Sequence, residues 1–469
     1  MIIHVVRSGE TLWTIAGYYN VNIQTIIELN QIEEPNLLVN GQALIIPAVG
    51  SSYVIKAGDT LWTIATQFGL SVQAIIAANP LLNPNLIYPG ETIIIPPIHY
   101  VVQPQDTLWH IANRFGTTVE ALVAENQLSN GNLIYPGYPL IIPRPRPVIE
   151  VNAYTYQEDQ DAAQTIASLS PLLTYMSPFA YMITETGELE PVEDELTIAA
   201  AWQNQVIPMM AVTNFTATEA GSNLAHTILA SADLQEQLLT NIVTIMREKG
   251  YSGVNIDFEN VLPDDRELYN QFLERAVARL HPDGYFVSTT VAPKTSGAQA
   301  GLLYEAHDYE AHGRIVDFVI LMTYEWGYRL GPPQAISPLS NMRQVVEYAL
   351  SVMPPEKVFL GFQIYARDWL IPHVEGQEAE TFSPQEAVQR AIRYRAPIHY
   401  DALAQSPFFR YTDENGQAHE VWFEDARSAQ AKFDLIKEFQ LRVVSYWALG
   451  YPYPQNWALL EANFTIRKR

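Results

Sequence analysis

The chain has 469 residues, which is too long for one small domain and leaves room for several units with sizeable cores. It carries 51 acidic against 27 basic residues, and this formal charge of -24 argues against a nucleic-acid binder, which must neutralise phosphates. The sequence contains no cysteine, which excludes disulfides, thiolate nucleophiles and cysteine-based metal sites.

The start of the chain, Met-Ile-Ile-His-Val-Val-Arg-Ser-Gly, lacks a basic segment followed by a long apolar one. We therefore expect no cleavable signal peptide. No run of about 18 apolar residues occurs, and we expect no membrane span.

Three copies of one segment fill the first third of the chain, at 1–48, 51–97 and 98–144. Each copy starts with an alternating strand, turns into a short helix at an acidic residue and Thr, continues into a second helix ending at Asn, and closes with an apolar strand. Repetition at about 50 residues indicates tandem modules. The pattern predicts three βααβ units.

These units resemble the LysM domain, a small module that binds glycans containing N-acetylglucosamine. The third copy has Gln105 where the others have Gly9 and Gly58, so we expect its first turn to differ. Each copy has a Leu-Trp pair, and we expect both side chains to lie in the module core. The resemblance implies that glycans bind to the flanking loops, at Gly9, Thr11, Leu38, Gly58, Thr60, Ile87, Thr107 and Ile134.

The run Pro-Arg-Pro-Arg-Pro at 143–147 predicts a short stiff spacer before a second domain at 148–469. There, apolar strand-like runs alternate with helical stretches, as in a parallel sheet with crossover helices. Eight strands are predicted and suggest a closed (β/α)8 TIM barrel of the α/β class, with a small α+β insertion at about 366–425. The strands are 148–154, 172–176, 206–212, 253–258, 286–291, 318–323, 358–362 and 443–447.

A predicted helix at 232–249 leads into the strand that carries the candidate chemistry. Side chains alternate along a strand, so Asn255, Asp257 and Glu259 share one face while apolar residues occupy the other. Two carboxylates at the end of an apolar strand are costly to place unless water, partners or a substrate reach them. This strand end is the predicted catalytic site.

The segment resembles the DxxDxDxE signature of glycoside hydrolase family 18, with Asp257 and Glu259 at its last Asp and Glu, and with Ser252 and Asn255 in place of the other two. The resemblance implies that Glu259 is the general acid and that Asp257 orients the 2-acetamido group of the substrate. Asn255 cannot take up a proton as Asp does, so we expect a pH profile unlike that of chitinases.

Residues 322–326, Met-Thr-Tyr-Glu-Trp, resemble the Met-x-Tyr-Asp segment of the same family. By resemblance, Tyr324 holds the acetamido carbonyl, and Trp447 at the end of strand eight forms an apolar floor under the reacting sugar. Glu325 stands where the family has Asp. Further candidates for substrate contact are Met322, which also suits barrel packing, Trp326, a cleft wall or a loop anchor, and Tyr154 and Gln363.

The histidines His281 and His307 fall in predicted loops or helix ends, and we expect both to be solvated. No His and carboxylate spacing suggests a metal, and no Gly-rich phosphate loop is present. We expect neither a metal nor a cofactor.

LysM repeats combined with the variant motifs resemble the spore-germination glycosylases that lyse fragments of spore cortex peptidoglycan. The resemblance implies a retaining, substrate-assisted N-acetylglucosaminidase located in the spore coat or cortex. Two alternatives stay open: a chitinase or vegetative cell-wall endo-N-acetylglucosaminidase, and a glycan-binding coat protein without activity. Partners are peptidoglycan or chitin-like glycans, and the oligomeric state stays open.

Overall fold

The computed structural model describes residues 1–47, 50–79, 83–84, 86–128, 134–143, 146–215 and 221–468. It divides into two compact units, Met1–Leu38 with Ala43–Pro147, and Val39–Gln42 with Val148–Arg469. Arg144 and Pro145 of the predicted spacer lie outside the described residues. Within those ranges no single helix is long and apolar enough to cross a membrane, although one pair of short helices, bent by 102°, meets the length and composition criteria together.

Each of the three N-terminal modules consists of a two-stranded antiparallel sheet and two helices, which confirms the predicted βααβ order. The paired strands are Ile2–Val5 with Ala43–Ile46, Ser51–Val54 with Thr92–Ile95, and Ile98–Val101 with Pro139–Ile142. The helices are Leu12–Tyr19 and Ile23–Asn30, Leu61–Gln67 and Val72–Ala78, and Leu108–Phe115 and Val119–Glu125.

The first turn of the third module does not differ from the others, so that expectation was wrong. Gln105 has a φ of +75°, beside +85° for Gly9 and +89° for Gly58. The carboxylate of Asp106 accepts a hydrogen bond of 2.7 Å from the backbone N–H of Gln103 and closes the turn. This turn holds Gln105 in the left-handed region, at a cost of about 1–2 kcal/mol for a residue with a Cβ.

The tryptophans of the Leu-Trp pairs are exposed, which corrects the expectation that they lie in the core. The leucines are buried, but Trp13, Trp62 and Trp109 are 79%, 68% and 64% exposed. Each tryptophan follows its leucine in the first helical turn, and consecutive helical side chains point about 100° apart. The leucine therefore faces the module core while the tryptophan faces solvent.

The recurring asparagines join the second helix of each module to its last strand. In the second module, Nδ2 of Asn79 donates to the carbonyls of Ile75 and Ile94, and Oδ1 accepts from the N–H of Ile94, each at 2.7 Å. The other modules repeat the arrangement with Asn30 and Asn126. One side chain thus satisfies three backbone groups, which explains why Asn recurs at this position.

We predict that Asn79→Ala destabilises the second module by about 1–3 kcal/mol, because the N–H and carbonyl of Ile94 lose their partner. Hydrogen exchange should become faster at Thr92–Ile95. The matched control is Gln73→Ala, which removes an exposed side chain of the same module. Unchanged exchange at Thr92–Ile95 in Asn79→Ala would contradict the bridging role.

Eight parallel strands close a barrel, as predicted, because each strand pairs with the next along the chain and the eighth pairs with the first. Strands five and eight match the predicted bounds, whereas strand two starts later because a 3-10 turn occupies Ser170–Leu172. In chain order the strands are Val148–Thr155, Tyr175–Pro178, Ile207–Thr213, Gly253–Asp257, Phe286–Val291, Phe318–Leu321, Val358–Gln363 and Val443–Trp447.

Helices surround the barrel, and the helix predicted at 232–249 is observed as Ala232–Lys249, ending at Gly250 in the left-handed conformation. The other helices are Gln160–Leu169, Glu195–Gln203, Ser222–Leu229, Arg266–Leu280, Tyr309–Ile315, Leu339–Val352, Ala426–Phe439 and Pro454–Asn463. Two short strands, Tyr181–Met182 and Thr465–Ile466, pair with strands three and one.

The predicted insertion between strands seven and eight is a five-stranded antiparallel sheet with the helix Pro384–Arg393. In spatial order its strands are Glu380–Phe382, Ala366–Ile371, Ala418–Trp422, Ser406–Thr412 and His399–Asp401. The insertion follows directly on strand seven, so its first strand starts at the end of the barrel where the candidate catalytic residues lie.

Candidate active site

The polar face of strand four points into the barrel, as the alternation predicted. Val254, Ile256 and Phe258 are fully buried behind the strand, whereas Asn255 and Asp257 belong to a polar network inside it. Since catalytic groups of such barrels lie at the carboxyl ends of strands, the strand end falls where chemistry is expected.

Asn255 lies at the centre of a hydrogen-bond network, and its own side-chain amide does not titrate. Its Oδ1 accepts from the hydroxyls of Tyr154 at 2.8 Å and Thr290 at 2.9 Å, and its Nδ2 donates to Oγ of Ser288 at 3.0 Å. The amide oxygen accepts two hydrogen bonds and the amide nitrogen donates one, which is within the hydrogen-bonding capacity of an uncharged amide. Tyr154 therefore serves first to hold Asn255.

Asp257 is buried, and its Oδ1 has no hydrogen-bond partner among the residues that the structure describes. Burial raises the pKa of this carboxyl well above its ordinary value of 3.8, and the nearby hydroxyl of Thr290 offsets part of that increase. A buried carboxyl oxygen without a partner is energetically costly and can accept an N–H from a bound ligand.

Glu259 follows the strand and is half-buried. Burial first, then the charges of Asp257 and Glu325, raise the pKa of its carboxyl far above 4.5. A carboxyl group that keeps its proton at neutral pH can act as a general acid. Glu259 is also the Glu of the family motif, and its burial beside two other carboxyl groups gives the electrostatic reason for an acid at this position.

Two tyrosines, Tyr154 of strand one and Tyr324 after strand six, lie close enough to Asp257 for its charge to raise their pKa, and Trp447 of strand eight packs against Tyr154. Trp447 contacts Tyr154 edge to face at 5.5 Å and Phe179 at 4.6 Å between ring centroids. Burial, followed by the nearby Tyr154 and Asp257, raises the pKa of the Tyr324 phenol, which therefore stays a hydrogen-bond donor. The structure brings Tyr154, Tyr324 and Trp447 together, whereas Phe179 was not predicted.

Glu325 is engaged by the insertion. Both oxygens of its carboxylate accept hydrogen bonds of 2.8 Å from the guanidinium of Arg367, and the hydroxyl of Tyr365 donates to Oε1. The backbone of Glu325 has a φ of +67°. Glu is one methylene longer than the Asp of the family, and its carboxylate reaches Arg367. The sequence motif does not include this arginine.

The remaining candidates differ in what they can reach. Met322 is buried, in agreement with barrel packing, and the half-buried Trp326 donates its backbone N–H to the carbonyl of Ile336. Gln363 is fully buried: Oε1 accepts from Ser337, and Nε2 donates to Glu424 at 2.9 Å. A direct contact between Gln363 and substrate would require this network to rearrange.

The expectation that His307 is solvated was wrong, because it is only 1% exposed. Its Nε2 lies 2.9 Å from the carbonyl of Phe258, between the two candidate catalytic residues. Asn214 was also missed, and it hydrogen-bonds the backbone of Glu259. Neither residue lies in a local motif, because both contacts join distant parts of the chain. His281 is exposed and pairs with Asp317.

The loop residues predicted to bind glycans lie at equivalent positions in the three modules. Thr11, Thr60 and Thr107 cap the first helices by accepting the backbone N–H three residues later, at 3.1–3.2 Å. Gly9 and Gly58 are exposed in the preceding turns. The aliphatic members of the set are half-buried and pack against the module cores, namely Leu38, Ile87 and Ile134.

Comparison with known protein families assigns both parts of the chain. Residues 155–451 match the glycosyl hydrolases family 18, and residues 4–47, 53–96 and 100–143 match the LysM domain. The chain therefore belongs to glycosyl hydrolase family 18 and carries three LysM domains.

Particular relatives are similar over the full length. The cortical fragment-lytic enzyme of Bacillus subtilis (strain 168) is 46% identical, with coverage of 100% of this chain and 99% of the relative. The crystal structure of the Bacillus megaterium QM B1551 spore cortex-lytic enzyme SleL has a TM-score of 0.79 at 37% identity, covering 100% and 99% of the two chains. The predicted resemblance to cortical fragment-lytic enzymes is confirmed.

A chitinase from Chromobacterium violaceum ATCC 12472 is 24% identical, with a TM-score of 0.61, and covers 67% of this chain and 98% of its own. At this identity the likeness shows that the barrel fold is shared.

We predict that Glu259→Gln stabilises the protein as the pH rises. Above pH 4.5 the unfolded chain releases the Glu259 proton while the folded chain keeps it, so the wild-type protein loses stability until the pH passes the raised folded-state pKa. Glutamine removes that loss. Thermal unfolding should give similar melting temperatures at pH 4.5, and a melting temperature about 2 °C or more above wild type at pH 7.5. A difference that is independent of pH would show that Glu259 titrates normally.

Proposed function

We propose that the chain hydrolyses N-acetylglucosaminyl bonds of spore cortex peptidoglycan by a retaining, substrate-assisted mechanism. One observation carries the proposal: the buried Oδ1 of Asp257, which no described residue hydrogen-bonds, lies next to Glu259, a carboxyl group with a strongly raised pKa. Similarity to cortical fragment-lytic enzymes over the full chain supports the choice of substrate.

Glu259 begins the reaction as the acid. It donates its proton to the glycosidic oxygen, and the bond from that oxygen to the anomeric carbon breaks. Oxygen of the sugar's own 2-acetamido group forms the new bond to the anomeric carbon and yields a cationic oxazoline-like intermediate. No carboxylate of the protein is needed as nucleophile.

Asp257 supplies the electrostatic stabilisation. As an ionised carboxylate, it accepts the acetamido N–H at Oδ1, and its negative charge lies next to the positive charge that forms on the intermediate. Tyr324 donates its phenolic hydrogen to the acetamido oxygen and keeps it in line with the anomeric carbon. Deprotonated Glu259 then takes a proton from water, which opens the intermediate and gives overall retention of configuration.

Asn255 has a supporting role in this scheme. Its amide is held by Tyr154, Thr290 and Ser288 and exchanges no proton with Asp257. Trp447 presents an apolar surface to the sugar in the subsite where the bond breaks. The surroundings of that subsite are formed by Glu325, Met322, Trp326 and Gln363. Among these residues, Glu325 raises the pKa of Glu259 through its charge.

The LysM modules would deliver the barrel to an insoluble polymer. Three modules on one chain raise the local concentration of the barrel on a glycan, without any new contact at the catalytic site. We assign the binding loops to the predicted positions of each module and place the protein in the spore, where the cortex is the substrate.

We predict that cleavage falls on the reducing side of N-acetylglucosamine. The attacking oxygen belongs to an acetamido group, and muramic lactam, whose nitrogen is closed into a ring without an acetyl group, cannot provide it. Mass spectrometry of spore-cortex fragments after digestion should therefore show products with N-acetylglucosamine at the reducing end, and NMR at early times should show the retained anomer.

The control is Glu259→Gln, which should lower turnover by about two orders of magnitude or more while the fragments still bind. Products that end in muramic lactam, or an inverted anomer, would refute the mechanism. Activity confined to chitin or to vegetative peptidoglycan would favour the alternative enzymes, and binding without hydrolysis would favour a coat lectin.

A further inference from the structure

The hydrogen-bond ladders of strand four stop just before the proposed acid. Its last pair with strand three is Asp257 opposite Thr213, and its last pair with strand five is Ile256 opposite Thr289. The next two residues, Phe258 and Glu259, have no ladder partner in the described ranges of the chain, although the position of the acid depends on their backbone. Some other interaction must fix this segment.

On one side the fixing group is His307. Its Nδ1 accepts a hydrogen bond of 2.8 Å from the backbone N–H of Ala292, just after strand five. An amide N–H can only donate, so the ring proton must be on Nε2. Nε2 therefore donates to the carbonyl of Phe258, at 2.9 Å. The imidazole replaces the missing ladder between strands four and five.

On the other side the fixing group is Asn214, directly after strand three. Its Oδ1 accepts from the N–H of Glu259 at 2.7 Å, and its Nδ2 donates to the carbonyl of Glu259 at 2.8 Å. The side-chain amide thus pairs with both backbone groups of one residue, as a neighbouring strand would.

Phe258 completes the arrangement from behind. Its ring is fully buried and stacks on Tyr269 and Phe272, each at 5.7 Å between ring centroids. Burial also lowers the pKa of His307 to about 4, so the imidazole stays neutral and keeps both hydrogen bonds near neutral pH. The segment that carries the acid is held on three sides.

We propose that His307 and Asn214 are positioning residues of the active site, which clamp the backbone at Phe258 and Glu259 and thereby fix the carboxyl of Glu259 relative to Asp257 and the bond to be broken. The inference rests on the proposed role of Glu259 as acid. Neither side chain touches the reacting atoms in this scheme. Their effect is therefore on the alignment of the transition state rather than on substrate binding.

Two substitutions of His307 separate positioning from packing. In His307→Asn the amide oxygen can replace Nδ1 as acceptor for Ala292, but the donor to Phe258 is lost. In His307→Gln the amide nitrogen can replace Nε2 as donor to Phe258. On soluble spore-cortex fragments we expect His307→Asn to lower kcat at least about tenfold with KM within about twofold, and His307→Gln to keep kcat within about threefold of wild type.

Asn214→Leu has a similar volume without hydrogen-bonding groups, and we expect the same loss of kcat with KM retained. Thermal unfolding of each variant identifies any loss caused by unfolding. Equal kcat for His307→Asn and His307→Gln, or losses that follow the fraction unfolded, would overturn the clamp. Full turnover by Glu259→Gln would instead overturn the role of Glu259 and leave the clamp variants to be judged by their own kcat.

Discussion

The arrangement of residues at the active site of the barrel is governed by the cost of burying two neighbouring carboxyl groups. Asp257 and Glu259 lie two residues apart at one strand end, and burial raises the pKa of both. A buried charge without a partner costs several kcal/mol, so the site favours a pair that carries a single charge, with the proton on Glu259. The packing around strand four meets this condition while leaving one oxygen of Asp257 free for a substrate.

Asn255 shows how the chain solves the same problem where the family signature has Asp. A third carboxyl group inside the barrel would add electrostatic repulsion to that already present between Asp257 and Glu259. The amide instead accepts two hydroxyl donors and donates to a third group, so its hydrogen-bonding capacity is used without a charge. Glu325 is the counterpart in the segment after strand six: its charge acts on Glu259, while Arg367 and Tyr365 hold its carboxylate in place.

Much of this site could be predicted from the sequence, because alternation along a strand is a local property and places Asn255, Asp257 and Glu259 on one face. The repeated Thr and Asn positions of the modules were visible for the same reason, since their hydrogen bonds follow from helix caps and a fixed spacing. Long-range contacts could not be predicted. His307 reaches Phe258 across 49 residues, and no pattern around it distinguishes a buried imidazole from a solvated one. The prediction for the exposed tryptophans was wrong because it relied on the usual burial of tryptophan and ignored that each one points away from its buried leucine on the helix.

The most direct test of this account is the titration of Glu259 itself, by NMR of the protein with carbon-13 in its glutamate side chains. The account predicts a carboxyl pKa far above 4.5 in the wild-type protein and a clearly lower pKa in Asp257→Asn, because the variant removes the neighbouring charge but not the burial. A Glu259 that titrates near 4.5 in the folded protein, or whose pKa does not change in Asp257→Asn, would contradict it.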